Sequence, residues 1–208
     1  MKNHLNRIIG DFQQIMLAKI KDIIQNSISV KTEILNNETL LNTIEQLVDL
    51  ITKTFQDGGK VLFCGNGGSA ADAQHLAAEF SGRFYTDRNP LPSEALHCNT
   101  SYLTAVANDY GFDFVYSRLL KGLGRKNDII VGLSTSGNSP NIIKAFETAR
   151  EMGIITVAFT GATGGKLNEL SDILINVPSI DTPRIQECHI TIGHIACELV
   201  EKNLFEKK

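Results

Sequence analysis

Short apolar runs alternate with helical stripes along the chain from residue 60 onward. Five runs have the length of a strand, at 61–64, 94–98, 128–133, 154–160 and 173–177, and the second is the weakest. Between them, apolar residues recur three or four positions apart, which predicts amphipathic helices. Strands that are apolar throughout are typical of a parallel sheet covered by helices on both faces. The pattern therefore predicts an α/β fold of three layers, αβα, around a five-stranded parallel sheet.

The N-terminal segment contains neither a strand nor a glycine motif. Its apolar residues, from Ile8 and Phe12 to Ile24, have helical spacing and predict a helix whose stripe packs on this domain or on a partner subunit. Residues 27–32 are predicted to break that helix, and a second helical stripe follows. We therefore divide the chain into an N-terminal helical extension, 1–33, and an α/β domain, 34–208.

Composition narrows the class of protein. The chain has 208 residues and a net charge of −3, so it carries no excess of positive charge for nucleic acid or an anionic membrane surface. No apolar run approaches the roughly 20 residues of a membrane span. None of the four cysteines forms a Cys-x-x-Cys pair, which favours reduced, buried thiols over disulfides or zinc thiolates. We expect a cytoplasmic protein with no nucleic-acid or membrane partner.

A glycine-rich loop follows the first predicted strand and opens a helix: Gly65, Asn66, Gly67, Gly68 and Ser69. Glycines let the backbone approach a ligand, and a helix N-terminus offers free N–H groups and the positive end of a dipole. The loop lacks the Gly-Lys-Ser/Thr of a Walker motif and only partly matches the dinucleotide fingerprint. It therefore predicts a phosphate site, the alternative being a tight turn without a ligand. Ser69 is the predicted N-cap.

A second small polar loop follows the strand at 128–133. Its four hydroxyl residues are Ser134, Thr135, Ser136 and Ser139. Ser139 suits the N-cap of the next helix and Pro140 its first position. Capping accounts for Ser139 but not for the other hydroxyls. Because the loop contains no lysine or arginine, phosphate binding would rest on N–H and O–H donors.

Two helices carry candidate acid–base or ligand residues. His75 and Glu79, four positions apart just after the first loop, lie on one helix face about 6 Å apart along the axis. A solvated surface pair is the alternative, but the neighbouring anion loop favours a functional pair. On the last helix, His194 lies about 12 Å beyond Gln186 along a straight axis, beside a glycine that leaves space for a ligand.

The two loops, residues 64–84, the pair Asn108-Asp109 and residues 184–194 together resemble the phosphoheptose isomerases of the sugar isomerase (SIS) family. The resemblance covers nearly the whole chain from about residue 34. It implies a flavodoxin-like SIS fold and a homotetramer that converts D-sedoheptulose 7-phosphate to D-glycero-D-manno-heptose 7-phosphate. That reaction opens the biosynthesis of ADP- or GDP-heptose for lipopolysaccharide core or surface glycans.

The resemblance also implies the roles of individual residues. One zinc ion per subunit would be held by His75, Glu79, Gln186 and His194. The substrate-binding positions would be Asn66, Gly67, Gly68, Glu79, Asn108, Asp109, Ser134, Thr135, Ser136, Ser139 and Gln186, and we add Ser69 as a member of the first loop. Aldose–ketose isomerisation needs a base and an acid, for which we expect Glu79 and His194. The 12 Å spacing of Gln186 and His194 conflicts with one metal centre unless the helix bends, long side chains converge or subunits share the site.

Two other classes of protein share features with this sequence. Non-catalytic SIS proteins that bind a replication initiator protein resemble it in the loops but are expected to lack the glutamate and the final histidine. Another SIS enzyme would act on a different phosphosugar. The presence of Glu79 and His194 favours an enzyme over a binding protein.

Overall fold

The computed structural model describes residues 2–206, and their side chains from residue 14 onward. Its strands are β1 (Val61–Gly65), β2 (Ser93–Ala95), β3 (Ile129–Leu133), β4 (Ile155–Thr160) and β5 (Ile173–Asn176). Its helices are α1 (Lys2–Leu35), α2 (Glu38–Gln56), α3 (Gly68–Ser81), α4 (Thr100–Tyr110), α5 (Val115–Leu123), α6 (Pro140–Met152) and α7 (Thr182–Phe205). Short 3-10 helices occupy Phe112–Phe114 and Gly165–Glu169.

The predicted parallel sheet is confirmed. Its order is β2-β1-β3-β4-β5, and every neighbouring pair is parallel. All residues of β1 and β3 are buried, because α2, α3 and α7 cover one face of the sheet and α4, α5 and α6 the other. The chain crosses from one side of β1 to the other between β2 and β3. Ligands of open α/β sheets bind at such switch points, at the carboxyl ends of the strands.

The predicted break at residues 27–32 is wrong, because α1 continues to Leu35. The hydroxyls of Ser29 and Thr32 donate to carbonyl oxygens four residues earlier, at 2.9 Å each, so they are satisfied within the helix. The chain turns instead at Asn37, whose side chain accepts from the Leu40 amide and caps α2. The domain division at residue 33 falls within α1 and stays a prediction.

The apolar stripe of α1 is largely uncovered. Its exposed members include Ile15, Met16, Ile20, Ile23, Ile24 and Ile28. The side chains of Ile8 and Phe12 lie outside the described part of the chain. Within residues 2–206, each helix is too short or too polar to cross a bilayer.

The predicted burial of the cysteines holds for three of the four. Cys64, Cys188 and Cys197 are buried free thiols, whereas Cys98 is a free thiol at the surface. The difference arises because β2 ends at Ala95, short of the predicted 94–98, and the turn that follows keeps Leu96 buried but brings Cys98 to the surface.

His189 on α7 is fully buried, with one ring nitrogen, Nε2, 3.1 Å from the Thr160 carbonyl oxygen and the other without a partner. Burial lowers the pKa of His189 from 6.5 to about 4, although the hydrogen bond to Thr160 acts in the opposite direction. The unfolded chain therefore takes up this proton at a higher pH than the folded protein. The resulting stability is fully present above pH 6.5 and is lost as the pH falls toward 4.

We predict that replacing His189 by methionine makes stability less dependent on pH between 7 and 4. The shift corresponds to at most about 3 kcal/mol of unfolding free energy. Urea unfolding of both proteins across this range measures the difference. Parallel curves for the wild type and His189→Met would contradict the assignment.

Candidate active site

The two polar loops lie side by side, because β1 and β3 are neighbours and each loop follows the carboxyl end of its strand. The side-chain amides of Asn66 and Asn141 bond reciprocally, with N···O distances of 2.9 and 2.8 Å. Asn141 is 1% exposed and lies in the first turn of α6. This pair ties the first loop to the helix that the second loop opens. The sequence analysis did not identify Asn141. Its position directly after Pro140, in the first turn of a predicted helix, is the one local feature that could have marked it.

The first loop has the geometry of an anion site. Gly67 is the N-cap of α3 with φ +56°, a value that favours glycine, so the predicted capping role of Ser69 is wrong. Ser69 is instead the second residue of the helix, and its side chain is buried. The N–H groups of Gly68 and Ser69 precede the first bonds of α3, which Ala70 and Ala71 donate to the Gly67 carbonyl. The buried Tyr116 hydroxyl donates to the Gly65 carbonyl and holds the loop from behind.

The second loop presents its hydroxyls at the start of α6. Ser139 is the N-cap and Pro140 the first residue, as predicted, and the Ser139 hydroxyl lies 2.9 Å from that of Ser134. Thr135 is half-buried and Ser136 is exposed. Gly137, at φ +64°, packs against the backbone of the glycine turn that follows β4, where no side chain fits. These donors surround a helix N-terminus without a cation among them.

His75, Glu79 and His194 converge between α3 and α7. One ligand atom from each lies within 4.8 Å of the others. The Nε2 atom of His75 is 2.9 Å from Glu79 Oε1, and the two imidazole rings meet edge to face with centroids 5.0 Å apart. Nε2 of His194 is buried and has no hydrogen-bond partner in the described structure. Two histidines and a glutamate are a donor set that zinc accepts, so this unpartnered nitrogen fits a metal ligand.

The convergence depends on Gly193. A Cβ there would lie 2.5 Å from the Leu76 methyl carbons, so any larger residue would require the buried Leu76 side chain or the helices to shift. The two helices run in the same direction, since Gly68 meets Gln186 near their first turns and Leu76 meets Gly193 farther along. His194 therefore reaches the two side chains of α3.

Gln186 lies at the other end of this helix pair. Its amide packs against Gly68 of the first loop, about two turns before His194. This contact favours the substrate assignment of Gln186, and its metal-ligand role stays a prediction. Asn108 and Asp109 are exposed in the last turn of α4 and bond to each other at 2.9 Å. No hydrogen bond among the described side chains joins them to either loop, and their substrate role also stays a prediction.

Asp72 adds a carboxyl group to the same side of α3. Burial raises the pKa of Asp72, and the nearby His75 and His194 act in the opposite direction. Asp72 lies three residues before His75 and so on the same helix face. The site thus places a carboxylate and an imidazole pair beside two loops that offer donors to an anion.

Comparison with known proteins gives consistent matches. The SIS domain family model matches residues 24–161. A phosphoheptose isomerase of Aneurinibacillus thermoaerophilus is 57% identical over 189 residues, which are 91% of this chain and 96% of that protein. One of Sulfurimonas denitrificans is 51% identical over 91% of this chain and 97% of its own length.

Solved structures agree with these matches. A phosphoheptose isomerase from Francisella tularensis superposes with a TM-score of 0.86 at 36% identity, over 89% of this chain and 98% of that one. One from Neisseria gonorrhoeae gives a TM-score of 0.84 at 42% identity, over 90% and 99%. The likeness thus extends over almost the full length of each relative.

Proposed function

The chain belongs to the phosphoheptose isomerases of the SIS domain family, and we propose that it converts D-sedoheptulose 7-phosphate to D-glycero-D-manno-heptose 7-phosphate. The observation that carries this proposal is the convergence of His75, Glu79 and His194 beside two loops built to bind an anion. The product would enter the biosynthesis of a nucleotide-activated heptose for lipopolysaccharide or another surface glycan.

The loops would hold the phosphate and orient the sugar. Hydroxyls of Thr135, Ser136 and Ser139, with the N–H groups at the starts of α3 and α6, can donate to phosphate oxygens, and both helix dipoles favour negative charge there. Fixing the phosphate places the other end of the substrate in one register, which lowers the entropic part of the barrier.

Proton transfer would be carried by the residues between α3 and α7. Converting the ketose to the aldose moves a proton from C1 to C2 through an enediol. The Glu79 carboxylate removes the C1 proton and returns it to C2, while His75, 2.9 Å away, orients that carboxylate. His194 moves the proton between the two substrate oxygens. Glu79 is half-buried and so is reachable by a substrate.

We also propose that one zinc ion per subunit binds at this site. His75, Glu79 and His194 would hold it, with Gln186 as a further ligand carried over from the family resemblance. Because Glu79 cannot be a tight ligand and a free base at once, its role would switch when the substrate binds. When bound, zinc would polarise the substrate carbonyl and stabilise negative charge on the enediolate.

A homotetramer in the cytoplasm is the assembly that we propose. The uncovered stripe of α1 and exposed Ile195 and Leu199 on α7 support burial against other copies of the chain. We expect light scattering on the purified protein to give four times the mass of one chain, and a monomer would rule the assembly out.

Replacing Glu79 by glutamine is expected to lower turnover of sedoheptulose 7-phosphate by a factor of about 10² or more, because the amide cannot accept the proton. Substrate binding, measured by calorimetry, should persist. Glu147→Gln is the matched control, since Glu147 lies on the surface of α6 in a pair with Lys144.

Near-normal turnover of sedoheptulose 7-phosphate by Glu79→Gln would contradict the proposed mechanism. A wild-type protein that binds the sugar without turning it over would indicate a non-catalytic sensor. A wild-type protein that turns over only another phosphosugar would indicate a different SIS enzyme.

Replacing His194 by asparagine is expected to weaken zinc binding by about tenfold or more, because it removes one of the nitrogen ligands. Calorimetric titration of the metal-stripped protein with zinc measures this change. His97→Asn is the control, since His97 also has a buried ring nitrogen without a partner but lies outside the cluster. Equal zinc affinity in the wild type and His194→Asn would contradict the site.

A further inference from the structure

The segment 82–88, which follows α3, is held by one buried carboxylate. Glu201 of α7 accepts from the backbone N–H groups of Phe84, Tyr85 and Thr86, with N···O distances of 3.2, 2.9 and 2.6 Å. Burial alone would raise the pKa of Glu201, but these bonds and Arg88 outweigh it and lower the pKa. Three successive amides are thus directed at a single charged side chain.

Arg88 closes the segment from its other end. Its Nε donates to Glu201 at 3.0 Å, and both side chains are almost fully buried, at 2% and 4% exposure. The other guanidinium nitrogens donate to the last carbonyl oxygens of α3, those of Glu79 at 2.8 Å and Phe80 at 2.7 Å. A cation suits the negative end of a helix dipole. The segment is therefore bound to both helices that form the site.

The contact that links this segment to the chemistry is Phe84. Its ring centroid lies 5.6 Å from that of His194, and the His194 ring also meets that of His75 edge to face, with centroids 5.0 Å apart. The amide of Phe84 is one of those bound by Glu201. The carboxylate thus fixes the backbone of the residue that packs on the candidate catalytic histidine.

We propose that Glu201 is a positioning residue that acts through Phe84 on His194. By binding the backbone of segment 82–88, Glu201 keeps the Phe84 ring against the His194 imidazole. The Phe84 ring then excludes water from that side and limits the orientation of the imidazole. The catalytic part of this inference rests on the proposed isomerase function; the covering of His194 does not.

A contribution to folding stability does not by itself explain why Arg88 and Glu201 form a buried ion pair. A buried ion pair loses its hydration, and apolar residues of similar size commonly stabilise a fold as well or better. Here the hydrogen bonds of the pair reach the backbone carbonyl of Glu79 and, through Phe84, the ring of His194. Precise placement of these groups is what catalysis requires.

The first test measures the closed segment without any substrate. In Glu201→Gln we expect amide hydrogen exchange at residues 84–86 to accelerate by about tenfold or more, because the amides lose a charged acceptor. His194 should react faster with diethyl pyrocarbonate in Glu201→Gln and in Phe84→Leu, as located by mass spectrometry. Glu198→Gln, one turn earlier on α7 and paired with Lys202 at the surface, is the control expected to match the wild type.

The second test measures catalysis in a double-mutant cycle. We expect Glu201→Gln and Phe84→Leu each to lower kcat about tenfold with KM within about twofold, since the phosphate loops are untouched. The double variant should lose little more than either single variant, because both act through one contact.

The outcomes separate this proposal from its premise. Fast exchange at 84–86 in the wild type, unchanged His194 labelling in both variants, or independent effects on kcat would overturn it. If Glu201→Gln does not fold, Phe84→Leu decides through labelling and kcat. If the wild type does not turn over sedoheptulose 7-phosphate, the proposed function fails, and exchange and labelling still decide whether Glu201 holds Phe84 over His194.

Discussion

The close approach of α3 and α7 at Gly193 is the contact on which the site depends. Both helices start at the carboxyl edge of the sheet and run in the same direction, so the first turns face the loops and the later turns bring His75, Glu79 and His194 together. A larger residue at 193 would meet the Leu76 methyl carbons, so either the buried Leu76 side chain or the helices would have to shift. Either change would disturb the packing that brings His194 to His75 and Glu79.

The fold could be predicted where the sequence pattern is local and periodic. Runs that are apolar throughout, such as the one that forms β3, identify buried parallel strands, and the glycine and serine loops mark where strands end. The prediction failed where residue type misled. Ser29 and Thr32 resemble a helix break by composition, yet their hydroxyls bond within α1. Propensity is a weak guide when the chain satisfies such groups in place.

The candidate site divides in the same way. His75 and Glu79 are detectable because they lie one turn apart, and His194 because a glycine precedes it. The residues of the Asn66–Asn141 pair are 75 positions apart and those of the Arg88–Glu201 pair 113 positions apart. Local sequence spacing therefore cannot predict either pair. These long-range polar contacts arise from the topology of the sheet. They link the elements around the candidate site, and they cannot be read from the spacing of residues in one sequence.

The Asn66–Asn141 link has a consequence for which molecules can react. Reciprocal amide bonds tie the two loops to each other, and Asn66 lies two residues before the helix that carries Glu79. Under the proposed function, the distance from a bound phosphate to the Glu79 carboxylate would then be nearly constant. Under the proposed function, a sugar with fewer or more carbons would present the wrong carbon to Glu79, even if its phosphate were bound equally well. The scaffold itself would then select substrates by length.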